Sequence, residues 1–116
     1  MMPVITRWML LSLLTAVLPA ADRAAPPWEK NHLLIGQALY RGNCVVCHEI
    51  DRPQSKKPGP SFYQLFKQQK MPLTSMKPNR EYIKVRVKFG GALMPAFRQL
   101  LSDGEIDTVI DYIASK

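Results

Sequence analysis

Hydrophobic positions in this chain fall into short segments with proline-containing stretches between them. The first segment stands apart. In "MMPVITRWMLLSLLTAVLPAADRA", Arg7 precedes an apolar run from Trp8 to Leu18, and small residues follow at Ala20 and Ala21. That layout predicts a secretory signal peptide over residues 1–21. The run is 11 residues long, while a spanning helix needs about 20. Cleavage is therefore expected rather than retention as a membrane anchor. Residues 22–30, "DRAAPPWEK", predict an extended lead-in, because Pro26 and Pro27 oppose helix. Residues 31–116 form the expected domain.

Within the domain, Leu34, Ala38 and Tyr40, with Gly36, fit a helix running from Asn31 to Cys47. "DRPQSKKPGP", residues 51–60, has three prolines and a glycine and predicts a loop. Ser61 to Gln69 fits a short helix with Phe62, Leu65 and Phe66 on one side. Residues 71–78, "MPLTSMKP", predict a second loop. Residues 79–91, "NREYIKVRVKFGG", carry two patterns at once. Ile83, Val85, Val87 and Phe89 alternate with charged residues, as in a strand. Asn79, Glu81 and Gly90 suit the two ends of a helix. Helix is preferred, because no second convincing strand exists to pair with it. The last segment is clearest. Ser102 to Glu105 forms a capping box, and Ile106, Val109, Ile110 and Ile113 recur at helical spacing. The pattern gives short helices joined by long loops.

Size and charge narrow the picture. Cleaved after Ala20, the earlier of the two candidate positions, the chain would run from 21 to 116, which is 96 residues with 15 basic and 9 acidic side chains. The net positive charge suits acidic partners. No interleaved aromatic and basic segment of the kind that binds single-stranded nucleic acid is present. A domain this small sits near the limit of what an apolar core stabilises alone. Two cysteines make no disulfide framework, so another component is expected at the centre.

Both cysteines lie in "RGNCVVCHEI", with His48 directly after Cys47. A thioredoxin-type disulfide would need a preceding strand within a βαβ pattern, and none is found. A zinc site usually takes four ligands, and Cys44, Cys47 and one histidine supply three. The remaining use of Cys-x-x-Cys-His is covalent haem attachment. Two thiols reach two vinyl groups on one edge of the macrocycle, and the following imidazole reaches the iron.

At this point the chain resembles the class I c-type cytochromes, small monohaem electron carriers. "GQALYRGNCVVCH" is similar to the family's first helix and attachment turn. "KPGPSF" resembles the Gly-Pro segment past the haem histidine, "GGALMPAF" the loop that holds the sixth iron ligand, and "LSDGEIDTVIDYIA" the closing helix. These pieces stand in family order over about residues 31–115. The resemblance implies an all-α, cytochrome c-like fold wrapped around one covalently attached haem c. It also implies that the carbonyl of Pro60 orients His48. Gly36 and Tyr40 are expected to pack on the last helix near Ile110 and Ile113.

The second axial ligand decides what the iron does. Met71, Met76, Met94 and His32 are the candidates outside the leader. Met94 is preferred: it lies 46 residues after His48, beside Gly90, Gly91 and Pro95, and the family's Met-Pro motif points the same way. Met71 and Met76 suit a core-filling role, and His32 is expected at the surface. Phe62, Leu65, Tyr82, Val85, Phe89, Leu93, Phe97, Val109 and Ile113 are expected to wall the haem. Arg80 and Arg98 are candidates for its propionates, with a solvated role preferred for each.

The function expected is a periplasmic one-electron carrier with His/Met ligation, working with redox partner proteins of acidic surface and without stable membrane insertion. No acid–base pair stands out, so the chain is not expected to be an enzyme. Asp103, Glu105, Asp107 and Asp111 are put down to helix capping and solvation. Two alternatives stay open. One is a haem subunit of a larger dehydrogenase or oxidase complex. The other is an open-site haem enzyme or gas-binding protein, should Met94 not bind the iron. Lys84 and Lys88, with Lys56, Lys57, Lys67, Lys70 and Lys77, are candidates for a docking ring.

Overall fold

Pro27, expected to oppose helix, instead begins one. Helix α1 spans Pro27–Asn43, entered from an extended Pro26. A proline in the first turn lacks only an N–H that has no helical partner anyway, and its fixed φ suits the start. The expected lead-in over 22–30 is therefore helical from Pro27 onward. The computed structural model describes residues 26–116. The expected signal peptide and the first residues of the lead-in lie outside the described residues.

Helix α1 ends before the cysteines, not at Cys47. Cys44 caps it by donating its N–H to the Tyr40 carbonyl, and residues 44–47 form a separate turn. The expected helix over 61–69 shrinks to one 3₁₀ turn, Leu65–Lys67. Gln64, at φ 46° and ψ 38°, is in the left-handed region and breaks any longer helix. Leu65 is buried there, and Phe62 and Phe66 are partly so.

Helix α2 spans Arg80–Phe89, so the strand-like alternation of its sequence is overruled. The Asn79 side chain accepts from the Tyr82 N–H at 2.9 Å, and Gly90 ends the helix at φ 70°. Winding sorts the alternating residues into two pairs. Ile83 and Val87 pack toward the core, while Val85 and Phe89 stay more than half exposed. Helix α3 spans Asp103–Ala114 and has both halves of its capping box, Ser102 to Glu105 N–H and Glu105 to Ser102 N–H. No strand occurs among the described residues.

The principal contact joins the first and last helices. At Gly36 the backbone of α1 comes so close to α3 that an added Cβ would sit 2.6 Å from the Thr108 carbonyl oxygen and 2.8 Å from the Tyr112 Cβ. Tyr40, 1% exposed, tilts against Tyr112 with ring centroids 5.6 Å apart. The expected docking of Gly36 and Tyr40 on α3 is thus present, but centred on Thr108 and Tyr112. Ile113 joins Tyr40 in one core cluster, and Ile110 belongs to another.

Those clusters divide the interior. Tyr40, Ile50, Leu65, Met71, Val109, Tyr112 and Ile113 form the first; Phe97, Leu101, Ile106 and Ile110 form the second. Leu39, Phe66 and Ile83 touch both. Ion pairs lace the outside. Lys84 meets Asp107 at 2.8 Å and Lys88 meets Asp103 at 2.9 Å, tying α2 to α3. Asp111 receives His32 from α1 at 2.8 Å and Arg80 from α2 at 2.5 Å. These three aspartates therefore do more than cap or solvate a helix. Each exposed pair contributes little energy, but the set fixes which faces meet.

Candidate functional site

The turn after α1 sets the geometry of the cysteines. His48 N–H donates to the Cys44 carbonyl at 2.9 Å and Cys47 N–H donates to the same oxygen at 3.1 Å. This tight turn places the two thiols and the imidazole on one short piece of backbone. Both thiols are free and partly exposed. Burial, with Cys47 beside it, pushes the Cys44 thiol up to about 11. A thiol held protonated is the reverse of a thioredoxin-type attacking thiolate. No group of three His, Cys, Asp or Glu side chains converges as a bare metal site among the described residues.

His48 is 8% exposed and held on several sides. Its Nδ1–H donates to the Pro60 carbonyl at 2.8 Å. The Phe62 ring stacks on the imidazole, with centroids 4.2 Å apart and 20° between the planes. Gly59 fills a third side so closely that a Cβ there would lie 2.5 Å from His48 Cε1 and 2.6 Å from Nδ1. Only glycine fits that position. Gly59 N–H also donates to the Cys47 carbonyl at 2.7 Å, which joins the 51–60 loop to the cysteine turn. Burial holds the imidazole below its ordinary pKa; the Pro60 bond opposes that shift and the Lys57 charge adds to it. The result is a neutral imidazole whose tautomer is fixed at Nδ1, with the Nε2 lone pair left for a metal.

The main-chain side of the turn is held as well. Tyr40 hydroxyl donates to the His48 carbonyl at 3.0 Å. Lys57 Nζ donates to the Val45 carbonyl at 2.7 Å and to the His48 carbonyl at 3.2 Å. Neither contact was expected from the sequence. A lysine nine residues downstream of a histidine has no periodic signal, and Tyr40 reads as an ordinary buried helix residue. Ser61 Oγ closes the same loop by donating to the Arg52 carbonyl.

Met94 lies in a different part of the fold. Its loop returns along the end of α2: Phe97 N–H donates to the Val87 carbonyl at 2.9 Å, and Gly91 N–H to the Met94 carbonyl at 2.9 Å. Gly90 is required by its positive φ and by crowding, since a Cβ there would lie 2.9 Å from the Ala96 nitrogen. The Met94 side chain is half-buried against the second cluster, while Phe62 and Tyr40 on the histidine side belong with the first. Met71 is buried in the first cluster, as a core-filling methionine would be, and Met76 is exposed. His32 is held by Asp111 at the outer rim.

The residues expected to form an apolar wall divide. Leu65, Phe97, Val109 and Ile113 are buried, and Phe62 and Tyr82 are partly buried. Val85, Phe89 and Leu93 face outward, Leu93 being 92% exposed. Arg80 is engaged by Asp111, and the Arg98 guanidinium lies 5.4 Å from the Phe89 ring centroid. Two free thiols, a neutral imidazole with a fixed tautomer, and flanking aromatic residues suit a covalently attached haem.

The model of the family described as cytochrome c oxidase, cbb3-type, subunit III matches residues 31–113. A search of curated proteins gives no match. Among solved structures, the c-type cytochrome SorU from Sinorhizobium meliloti superposes with a TM-score of 0.52 at 23% identity, over 74% of this chain and 91% of that one. The fold is the all-α, cytochrome c-like fold, its cofactor is covalently bound haem c, and the protein is a haem electron carrier. With its match running through nearly every described residue, the chain belongs to the cbb3-type subunit III family and is a class I c-type cytochrome.

Proposed function

We propose that this protein is an exported, periplasmic one-electron carrier whose haem is bonded at Cys44 and Cys47 and ligated by His48 and Met94. The observation that carries the reading is the 2.8 Å bond from His48 Nδ1 to the Pro60 carbonyl, inside a Cys-x-x-Cys-His turn. It leaves Nε2 as the one nitrogen able to bond iron, and it raises the donor strength of that nitrogen. Bound haem supplies a one-electron ferric/ferrous couple. Gly59, Phe62 and Pro60 hold the imidazole plane, so the ligand need not reorganise when the electron arrives. The half-buried Met94 would supply a soft thioether as the second ligand, and a His/Met pair raises the potential.

No chemistry on a substrate is required of such a protein, and the acidic residues on α3 have structural partners instead. The expected redox partners carry acidic surface, so transfer rates fall as ionic strength rises. Among the described residues no helix is long and apolar enough to cross a membrane. The subunit reading is favoured by one observation, the oxidase subunit named in the family's description; it keeps the same haem chemistry and adds a permanent partner.

The test is optical. Ferric protein with Met94 on the iron has a weak charge-transfer band at the red end of the spectrum, and its ferrous form does not bind carbon monoxide at neutral pH. Met94→Ala removes the band and admits carbon monoxide. Rapid carbon monoxide binding by the unaltered protein would overturn the carrier reading. A colourless protein of bare polypeptide mass, from a host able to attach haem, would overturn all of it.

A further inference from the structure

The positive charge of this chain is concentrated in one segment. Residues 52–80 contain seven basic side chains and no acidic one, while the rest of the described chain, 26–51 and 81–116, has seven basic and eight acidic. Two of the seven are occupied: Lys57 by the Val45 and His48 carbonyls, and Arg80 by Asp111. The other five, Arg52, Lys56, Lys67, Lys70 and Lys77, are exposed and pair with no acidic group among the described residues. Lys84 and Lys88, also candidates for a docking ring, are neutralised by Asp107 and Asp103.

The same segment builds an open groove of about 410 Å³ between residues 53–61 and 68–73. Pro53, Pro58, Pro60 and Pro72 line it, and prolines lose little freedom when a partner covers them. Leu73 stands at its rim, 93% exposed and held at φ 61°. A leucine in left-handed backbone is strained, and the turn that holds it closes through the Met71 N–H to Met76 carbonyl bond of 2.8 Å. Arg52 and Lys56 line an adjoining pocket that shares Pro53 and Ser55 with the groove. Glu49 also touches that pocket, but it lies 4.0 Å from Lys57 and accepts from the Ile50 N–H. Pro60 lines the groove and hydrogen-bonds His48, so a partner seated there is one residue from the imidazole.

We propose that this groove on the histidine side is where an acidic redox protein docks. Carboxylates of the partner would meet Arg52, Lys56, Lys67, Lys70 and Lys77, and an apolar patch would cover Leu73. The proposal rests on the carrier reading above and specifies its docking surface. Charge complementarity selects the partner: a carrier must meet another redox protein, and no other stretch of the described chain gathers this many cations with no acidic side chain among them.

The probe is a synthetic peptide with one leucine flanked on each side by three glutamates, titrated at low ionic strength into the ferrous holoprotein and followed by amide NMR shifts. The proposal expects shifts over residues 52–61 and 67–77. Lys56→Glu with Lys70→Glu weakens binding at least tenfold. Lys30→Glu with Arg41→Glu, the same change in net charge on exposed positions of α1, changes it less than twofold. Leu73→Asn, which relieves the strained backbone and so keeps the fold, weakens binding about threefold. Shifts centred on Lys84 and Lys88, equal effects of the two charge-reversed pairs, or no shifts at all would overturn the proposal. So would vesicles of phosphatidylglycerol binding with the same mutational pattern where the peptide does not. The visible spectrum of each sample reports haem independently, so loss of docking with an intact spectrum leaves the carrier reading standing.

Discussion

Consider a single methyl group added at Gly36. Helix propensity alone favours the change, since alanine is about 1 kcal/mol better than glycine inside a helix. Packing opposes it. The new Cβ would lie 2.6 Å from the Thr108 carbonyl oxygen and 2.8 Å from the Tyr112 Cβ, against about 3.4 Å for ordinary contact. Both obstacles are rigid, one being backbone and the other the root of a side chain wedged against Tyr40. Helix α1 would have to retreat by about 0.6–0.8 Å, loosening the cluster of Tyr40, Val109, Tyr112 and Ile113. Overpacking typically costs roughly 1–3 kcal/mol, and two rigid obstacles put this site at about 2–3 kcal/mol, so the propensity gain loses. Gly36→Ala is expected to lower the unfolding free energy by a net ~1–2 kcal/mol. At about 4–8 °C per kcal/mol for a domain this small, the thermal midpoint falls by several degrees. Circular dichroism of the ferric holoprotein reads it. A midpoint equal to or above that of the parent would refute the close crossing of α1 and α3.

Further outcomes test other parts of the structure. Gly59→Ala would drive a methyl into the His48 ring; the visible spectrum should shift and the yield of haem-bearing protein fall, while Gly42→Ala, which meets nothing within 4 Å, should leave both unchanged. Lys57→Met removes the ammonium from two carbonyls of the cysteine turn; chemical denaturation should show a loss of about 1–2 kcal/mol, and Lys56→Met less than about 0.5 kcal/mol. The Asp111 carboxyl is raised by desolvation but lowered more by its bonds from His32 and Arg80, and its net shift is downward from 3.8. A depressed folded-state value gives stability that is present above 3.8 and lost as pH falls through the lower folded value. The thermal midpoint should therefore drop in that acid range, and Asp111→Asn should flatten the drop; an unchanged acid limb would rule the triad out as a contributor.

What the sequence made legible was local. The Ser102–Glu105 capping box and the Asn79 cap are each fixed by near neighbours, and each appears as expected. The alternation over Ile83–Phe89 misleads because a period of two, wound on a helix, yields two faces with one pair each. Pro27 misleads because the cost of a proline depends on its place in a helix. The partners of Lys57, Tyr40 and Asp111 are legible only in three dimensions, since each bond joins residues from separate elements or loops. Lys84 and Lys88 match Asp107 and Asp103 in spacing, a ladder that antiparallel helices bring together.

Helix α1 rests chiefly on α3, which comes much later in the chain. Until that twelve-residue helix is synthesised, α1 has nowhere to settle and the tyrosine at position 40 stays unsheltered. A nascent polypeptide emerging end first therefore keeps its paired thiols within reach of whatever machinery joins pigment to them. Only the arrival of α3 shuts that window.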